Sequence, residues 1–335
     1  MEFDQIIQNL RSKKFSPLYF LQGDSEPYFV DLIEHQIEKS VLAEHEKSFN
    51  QRIIYGKDIK ADELIGLAKS FPMASEYKVI IIREAQDFAR ELPKMEGYFK
   101  SPQPTTVLVF CFKYKKVDKR KAYFKSLKKS GVIYESKPVY ENQMPQWITK
   151  RLKSKGLSIE PKATQMLVDF LGNDLSKMDN ELIKLEQIVD QSQTITPKII
   201  EDNIGISKDF NNFELTNALG NRQEVKAQQI IQYFASNPKS NPILLTIGQL
   251  VSYFSKLIIY HSMENKSSQA VGRKLGIHPF FTKEISQACK NYSMRQCVNA
   301  LHIIRQTDAQ LKGIEARQIS HSDLLKMLVV KIVRS

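Results

Sequence analysis

Cysteine is scarce in this sequence of 335 residues: Cys111, Cys289 and Cys297 are the only three, and none belongs to a CxxC pair. Zinc sites and disulfide frameworks usually need paired cysteines, so the sequence favours neither. Glycine and proline number thirteen each, too few for long disordered linkers. The hydrophobic fraction of 42% is ordinary for a globular chain, and the length allows two or three domains.

Long apolar runs are missing as well. No stretch approaches the ~18 uncharged apolar residues that a membrane-spanning helix requires. The N-terminal segment MEFDQIIQNLRSKKF begins with acidic residues and helical periodicity, without the basic start and short apolar run of a signal peptide. We therefore predict a cytoplasmic protein that has no membrane partner.

What the first ~135 residues do contain is an alternation of strand-like and helix-like segments. Short apolar or aromatic runs, typical of strands buried in a parallel sheet, occur at Pro17–Gln22, Gln51–Tyr55, Lys78–Arg83, Thr105–Phe112 and Val132–Glu135. This pattern predicts an α/β domain over residues 1–140, with helices covering a parallel sheet. From Glu141 onward only helical periodicity remains, which predicts a small helical domain over 141–209 and a larger one over 210–335.

Many nucleotide-binding ATPases share this layout, and they carry a GxxxxGK[ST] phosphate loop after the first strand. The corresponding segment here, Gly23 to Val30, has one glycine, no lysine and two acids that would repel a triphosphate. The third strand ends in Arg83 where an aspartate would hold magnesium, and Glu84 has no phosphate loop to act with. HExxH and GxSxG motifs are also missing. We therefore predict no catalytic site, no cofactor and no metal in this chain.

Positive charge is abundant, with a formal net charge of +12. The densest basic segment, Lys113 to Lys129, has nine basic residues against one acid, and aromatic residues lie among them. Such a strip can contact nucleic acid through phosphates without reading the bases, although a solvated basic helix fits it equally well. The residues predicted to contact DNA phosphates are Lys113, Lys115, Lys116, Lys119 and Arg120.

Two further segments allow a binding function. Phe71, Pro72 and Met73 are adjacent bulky residues in a turn before the third strand, so at least one should be exposed and could anchor a partner. Ser267 to Ile285 has the spacing of a helix-turn-helix, but Thr282 stands where that motif prefers an apolar residue. For this second segment we favour a packed helical hairpin over a sequence-specific DNA-binding motif.

Five stretches, taken together in this order, resemble the delta subunits of bacterial DNA polymerase III clamp loaders. The matching stretches are Leu18–Glu26, Phe71–Glu84, Leu171–Leu185, Leu275–Phe281 and Thr307–Gly313. The resemblance implies an AAA+-like α/β domain, a small helical lid and a helical collar. It also implies a subunit that hydrolyses no ATP itself and that binds and opens the sliding clamp for loading onto primed DNA.

The resemblance further implies particular partners and residues. The partners are the sliding clamp, the ATPase and delta-prime type subunits of the loader, and primed DNA within the assembly. The loop before the third strand would insert apolar side chains into a pocket on the clamp, and its residues here are Ser70, Phe71, Pro72 and Met73. The commoner ending of this loop is Leu-Phe, so Pro72-Met73 leaves the main anchor open. The alternatives are a divergent AAA+ ATPase or helicase, and a helix-turn-helix regulator.

Overall fold

The chain folds into two compact units, which are Met1–Val139 and Tyr140–Ser335. The structure is a computed structural model, and it describes residues 1–23, 27–115, 117–190, 193–314 and 319–335. The first unit is an α/β domain and the second is almost entirely helical, which confirms the predicted fold class.

A five-stranded parallel sheet forms the centre of the first unit. Its strands are β1 Leu18–Gly23, β2 Gln51–Tyr55, β3 Lys78–Arg83, β4 Thr106–Lys113 and β5 Val132–Glu135. They lie in the order β2-β3-β4-β1-β5, and every neighbouring pair is parallel. Three strands have the predicted bounds, whereas β1 and β4 each begin and end one residue later than predicted. The sheet order places β1, β3 and β4 inside and leaves β2 and β5 at the edges.

Side chains on the central strands alternate between two buried faces, as the pleat of a strand requires. One face of the sheet carries Phe20 and Phe110, and the other carries Leu21 and Val109. Helices cover both faces because neither face can be left in water. The helices of this unit are α1 Phe3–Arg11, α2 Tyr28–Ser40, α3 Lys47–Asn50, α4 Ala61–Lys69, α5 Glu96–Lys100 and α6 Ala122–Ser130, with 3-10 turns at Glu44–Glu46, Ala85–Phe88 and Leu92–Met95.

The second unit is built from helices whose ends carry recognisable caps. The Asp174 side chain accepts a hydrogen bond from the Lys177 amide at the start of one helix, and Ser293 and Gln296 form a capping box at another. The helices are α7 Met144–Lys153, α8 Pro161–Leu171, α9 Leu175–Ile188, α10 Pro197–Ile204, α11 Asn212–Gly220, α12 Glu224–Ser236, α13 Ile243–Ser262, α14 Ser268–Leu275, α15 Thr282–Asn291, α16 Met294–Leu311 and α17 His321–Val333, with 3-10 turns at Glu141–Gln143 and Pro279–Phe281.

The prediction of helices alone after Glu141 is wrong in one respect. Ser158–Ile159 and Thr194–Ile195 form two short strands, β6 and β7, which pair in parallel. A strand of two residues is too short to show an alternating pattern, so the sequence carries no periodic signal for it.

Helix α13 is long and apolar enough to cross a membrane by length and composition alone, with a mean hydropathy of 1.5. No such candidate had been found from the sequence. One side of the helix, including Leu250, Phe254 and Leu257, is fully buried in the core of the second unit. A helix in a protein core can have the same length and composition. The burial of this side shows that α13 packs in the core of the second unit.

One large hydrophobic core runs through the later helices of the second unit, from Leu215 to Val333. It begins after the predicted junction near residue 209. The division of this unit into a lid over 141–209 and a collar over 210–335 stays a prediction.

Candidate functional site

The carboxyl ends of the strands are where parallel α/β sheets usually bind ligands. At the end of β3, Arg83 pairs with two acids of α2: its Nε lies 2.5 Å from Glu34 Oε1, and its Nη2 lies 2.9 Å from Glu38 Oε1. The Glu34 side chain is only 6% exposed. A guanidinium group bound by two carboxylates therefore stands where an ATPase would place its magnesium-binding acid.

A second ion pair lies at the end of β4. Lys113 Nζ lies 2.5 Å from Asp31 Oδ1, and only 14% of the lysine side chain is exposed. The Lys113 amide also donates to Gln86 Oε1 at 3.1 Å, so backbone and side chain are both held. Burial raises the pKa of the neighbouring Cys111 thiol well above its ordinary value, which keeps the sulfur protonated and unreactive. This end of the sheet is occupied by charges that the chain pairs internally.

The remaining candidates for nucleotide chemistry give no metal site in the described residues. Asp24, Ser25 and Glu26, which replace the phosphate loop, lie outside them. Glu84 has a left-handed backbone with φ of 48°, and its carboxylate accepts a hydrogen bond from the Gln86 side-chain amide. Within the described residues, no cluster of three or more His, Cys, Asp or Glu side chains could hold a metal ion.

At the opposite end of β3 lies a segment with a different character, Ser70–Tyr77, which we call the apolar loop. Phe71 is 74% exposed and Met73 is 64% exposed, while Pro72 between them is half-buried. The prediction that at least one bulky residue of this turn is exposed is confirmed. Two large apolar side chains in water on one short loop are a frequent sign of an interaction surface.

Ser70, the first predicted binding residue, uses its hydroxyl within the chain. The hydroxyl donates to the Leu67 carbonyl at 2.8 Å and accepts a hydrogen bond of 2.5 Å from Lys78 Nζ. Burial, followed by the charge of Arg52, lowers the pKa of Lys78. Ser70 therefore connects the end of α4 to the start of β3, and it fixes where the apolar loop leaves the helix.

Asn50, at the end of α3, holds the middle of the apolar loop. It is 1% exposed, its Nδ2 donates to the Met73 carbonyl at 2.9 Å, and its Oδ1 accepts from the Met73 amide at 2.7 Å. A second contact joins Ser75 to Glu46, where the Ala43 amide and then the Ser75 hydroxyl lower the pKa of the Glu46 carboxyl. Sequence reasoning missed Asn50, because nothing in the local pattern indicates a contact 23 residues away.

The residues of the basic strip differ in how they are paired and in how exposed they are. Lys113 is bound to Asp31, and Lys119 Nζ lies 2.5 Å from Glu135 Oε2. Arg120 pairs with Asp118 at 2.9 Å, but its side chain is 91% exposed. Lys115 is exposed, and Lys116 lies outside the described residues. Among the described residues, Lys115, Lys119 and Arg120 are thus the predicted phosphate contacts whose side chains extend into water.

The segment with helix-turn-helix spacing is a packed hairpin. Helices α14 and α15 both bury apolar residues, including Leu275 and Ile285, in the core of the second unit. Thr282 is buried, and its hydroxyl lies 2.7 Å from that of Ser268, which satisfies the polar group at this otherwise apolar position. The side of each helix that carries these residues therefore packs against the core. The DNA-binding alternative is not favoured.

Comparison with known proteins connects these features to one family. A family model described as the DNA polymerase III delta subunit matches residues 19–137, and a model for the C-terminal domain of that subunit matches residues 209–332. A curated relative, DNA polymerase III subunit delta of Bacillus subtilis, is 25% identical, with 100% of this chain and 97% of that protein covered. The probable delta subunit of Aquifex aeolicus is 21% identical, over 88% of this chain and 89% of that protein.

A solved structure agrees with the fold. The DNA clamp loader delta protein of Bacillus subtilis superposes with a TM-score of 0.57 at 20% identity, and each chain is covered completely. The two family models match the α/β unit and the later helices separately and in the same order as in the chain. This chain therefore belongs to the DNA polymerase III delta subunit family.

Proposed function

We propose that this chain binds the sliding clamp through Phe71 and Met73, with Ser70 and Pro72 shaping the loop that presents them. The observation that carries the proposal is the exposure of two large apolar side chains, 74% and 64%, on a loop whose backbone is tied to buried Asn50. Because the backbone is already held, binding does not have to order the loop, so more of the burial of these side chains appears as affinity.

Clamp opening follows from differential affinity. If the apolar loop fits the open ring better than the closed ring, binding shifts the ring equilibrium toward the open form without any covalent step in this chain. ATP bound by companion subunits would change the shape of the assembly and make the apolar loop available. Loading onto primed DNA then follows when the clamp is released.

The absence of catalysis in this chain is part of the proposal. Among the residues that the structure describes, Asp31, Glu34 and Glu38 of α2 are engaged in ion pairs with Lys113 and Arg83 at these strand ends. We expect neither binding nor hydrolysis of ATP by the isolated chain. Equilibrium titration with labelled ATP tests this, and micromolar binding would instead support the divergent ATPase alternative.

The larger set of later helices, residues 210–335, is proposed as a collar that joins the ATPase and delta-prime type subunits in the cytoplasm. Leu244 and Val251, seven residues apart on the same side of α13, are 61% and 42% exposed. Replacing both with lysine should prevent assembly of the loader and leave clamp binding by the isolated chain intact. Normal assembly of this variant would place the subunit contacts elsewhere.

The test of clamp binding is the affinity of single substitutions, measured by surface plasmon resonance on an immobilised sliding clamp. Loss of an aromatic anchor from a desolvated pocket costs about 2 kcal/mol or more, so Phe71→Ala should weaken binding at least about tenfold. Met73→Ala should act similarly, because a flexible thioether can fill an irregular pocket. Phe280→Ala is the matched control, since Phe280 is 59% exposed in the second unit.

The outcomes separate the proposal from its alternatives. All three variants should fold normally, because each replaced side chain is exposed. Weakened binding by the two loop variants, with an unchanged control, supports the proposal. Wild-type affinity in both loop variants would show that the clamp contact lies outside this loop.

A further inference from the structure

The Asn50 side chain uses both of its N–H donors and its acceptor oxygen. Besides its two bonds to the backbone of Met73, its Nδ2 donates to the Glu46 carbonyl at 3.3 Å. Both amide hydrogens and the oxygen are therefore used, and the residue is 1% exposed. The pair of bonds to Met73 copies the exchange of N–H and C=O between neighbouring strands, so it fixes both the position and the orientation of that backbone.

The apolar loop needs such a holder because little else fixes its centre. Phe71 and Met73 extend into water, so their side chains do not pack the loop onto the domain. Ala74 follows in a left-handed conformation with φ of 49°, which a residue with a Cβ adopts only when its surroundings enforce it. The two bonds to Met73 lie directly before this residue, and the Ser75–Glu46 contact lies directly after it.

We propose that Asn50 is the positioning residue of the clamp-binding loop, and that it keeps the loop in its binding conformation before the clamp arrives. This inference rests on the proposed function of the loop. Asn50 acts through Met73 and has no contact with the clamp itself. In this role, Asn50 sets the fraction of free molecules whose loop already has the binding conformation.

The kinetics of binding distinguish this role from that of an anchor. When only a fraction of the free protein has the competent conformation, the apparent affinity falls by that fraction. The loss then appears in the association rate, because the complex, once formed, keeps all its contacts. Loss of an anchor such as Met73 instead removes contacts from the complex and raises the dissociation rate.

Asn50→Asp is the variant of choice because it preserves size and shape. The aspartate can still accept from the Met73 amide, but it faces the Met73 and Glu46 carbonyls with a carboxylate oxygen instead of an N–H donor. We expect the association rate with immobilised clamp to fall about tenfold and the dissociation rate to stay within about twofold of the wild type.

Asn211→Asp is the matched control. Asn211 is 6% exposed, donates to the Ser207 and Lys208 carbonyls, and accepts from the Glu214 amide. It therefore loses the same kinds of bond, but in the second unit. Both variants should lose thermal stability, and only Asn50→Asp should slow association with the clamp.

A measurement on the unmodified protein covers the case in which Asn50→Asp does not fold. The Met73 amide should exchange with deuterium at least about tenfold more slowly than the amides of Phe71 and Ala74, because it is bonded to a buried acceptor. Equal exchange at the three positions would overturn the inference, as would an unchanged association rate for a folded Asn50→Asp.

If instead the double variant Phe71→Ala, Met73→Ala binds with wild-type affinity, the proposed function of the loop fails. Loss of affinity in that double variant, with unchanged association by Asn50→Asp, overturns the inference about Asn50 alone.

Discussion

The two ends of the central sheet use their residues in opposite ways. At the carboxyl end, Arg83 and Lys113 are paired with acids of α2, and one partner, Glu34, is almost fully buried. At the amino end of β3, Phe71 and Met73 extend into water, although the backbone beneath them is held by a buried amide. The end where ATPases bind nucleotide is satisfied internally, and the other end exposes apolar surface without a partner.

This difference between the two ends indicates where binding of a partner can gain free energy. A ligand at the paired end would have to displace ion pairs that the fold already uses. A partner at the apolar loop removes apolar surface from water at about 25 cal/mol per Å² and disrupts nothing. Recognition of a protein surface at the amino end therefore follows more naturally from this structure than chemistry at the carboxyl end.

The largest effect that could break this comparison concerns Arg83. Arg83→Met keeps the apolar stem but removes the cation that Glu34 contacts directly, so we expect a loss of about 3 kcal/mol in the free energy of unfolding. Glu38→Gln removes a partner that is 21% exposed and should cost about 1 kcal/mol or less. Urea unfolding measures both. Full stability of Arg83→Met would show that the ion pairs do not hold this end of the sheet.

A second test extends the comparison to a buried acid whose hydrogen bond comes from a neutral side chain. Burial raises the pKa of Asp169 to about 7, while the Gln165 amide, which donates at 2.7 Å, and the charge of Lys256 act in the opposite direction. The folded state keeps a proton that the unfolded state releases above its ordinary pKa, so stability falls as the pH rises from about 4 to 7. Asp169→Asn should therefore gain about 2 kcal/mol near pH 8 and much less near pH 4.5. An equal gain at both pH values would contradict this assignment.

A matched acid in the same unit should respond with the opposite sign. Asp179 Oδ1 lies 2.8 Å from Arg151 Nε, in a largely buried pair. Asp179→Asn replaces the charged acceptor with a neutral one and should lose about 1 kcal/mol. Thermal melts of the two variants at pH 8 compare them directly. Stabilisation by both substitutions would mean that the cation beside Asp179 contributes nothing.

The smallest expected effect concerns the basic strip, where paired and exposed residues occur side by side. Lys115→Ser with Arg120→Ser should weaken DNA binding by the assembled loader several-fold and reduce the salt slope by about one unit per lost contact. Lys113→Ser should instead lower thermal stability, because Lys113 is bound to Asp31. Unchanged DNA affinity of the double variant at low salt would leave the strip with a solubilising role.

The sequence predicted the sheet well because buried strands leave a strong local signal. The apolar runs of β2, β3 and β5 define those strands to the residue, whereas β1 and β4 differ by one residue at each end. Pairing with neighbouring strands decides where a strand ends, and a single run of residues does not contain that information. The two-residue strands β6 and β7 were missed because they are too short to show an alternating pattern of apolar and polar residues.

The candidate site was predictable only in part. Exposure in the apolar loop followed from adjacent bulky side chains in a turn. Its support did not, since Asn50 belongs to a helix of four residues and meets Met73 only through tertiary folding. The pairing of Lys113 was hidden in the same way, because its partner Asp31 lies in a distant helix and the basic strip looked uniform in sequence.

The central claim, that the apolar end binds the clamp and the paired end maintains the fold, is tested by one crossed measurement. Clamp affinity and thermal stability are measured together for the double variant Phe71→Ala, Met73→Ala and for Arg83→Met. We predict that the double variant loses at least about 100-fold in affinity with an unchanged melting temperature, from two anchors of about 2 kcal/mol each. Arg83→Met should melt at a lower temperature and, while folded, bind the clamp as the wild type does. A folded double variant with wild-type affinity would contradict the account.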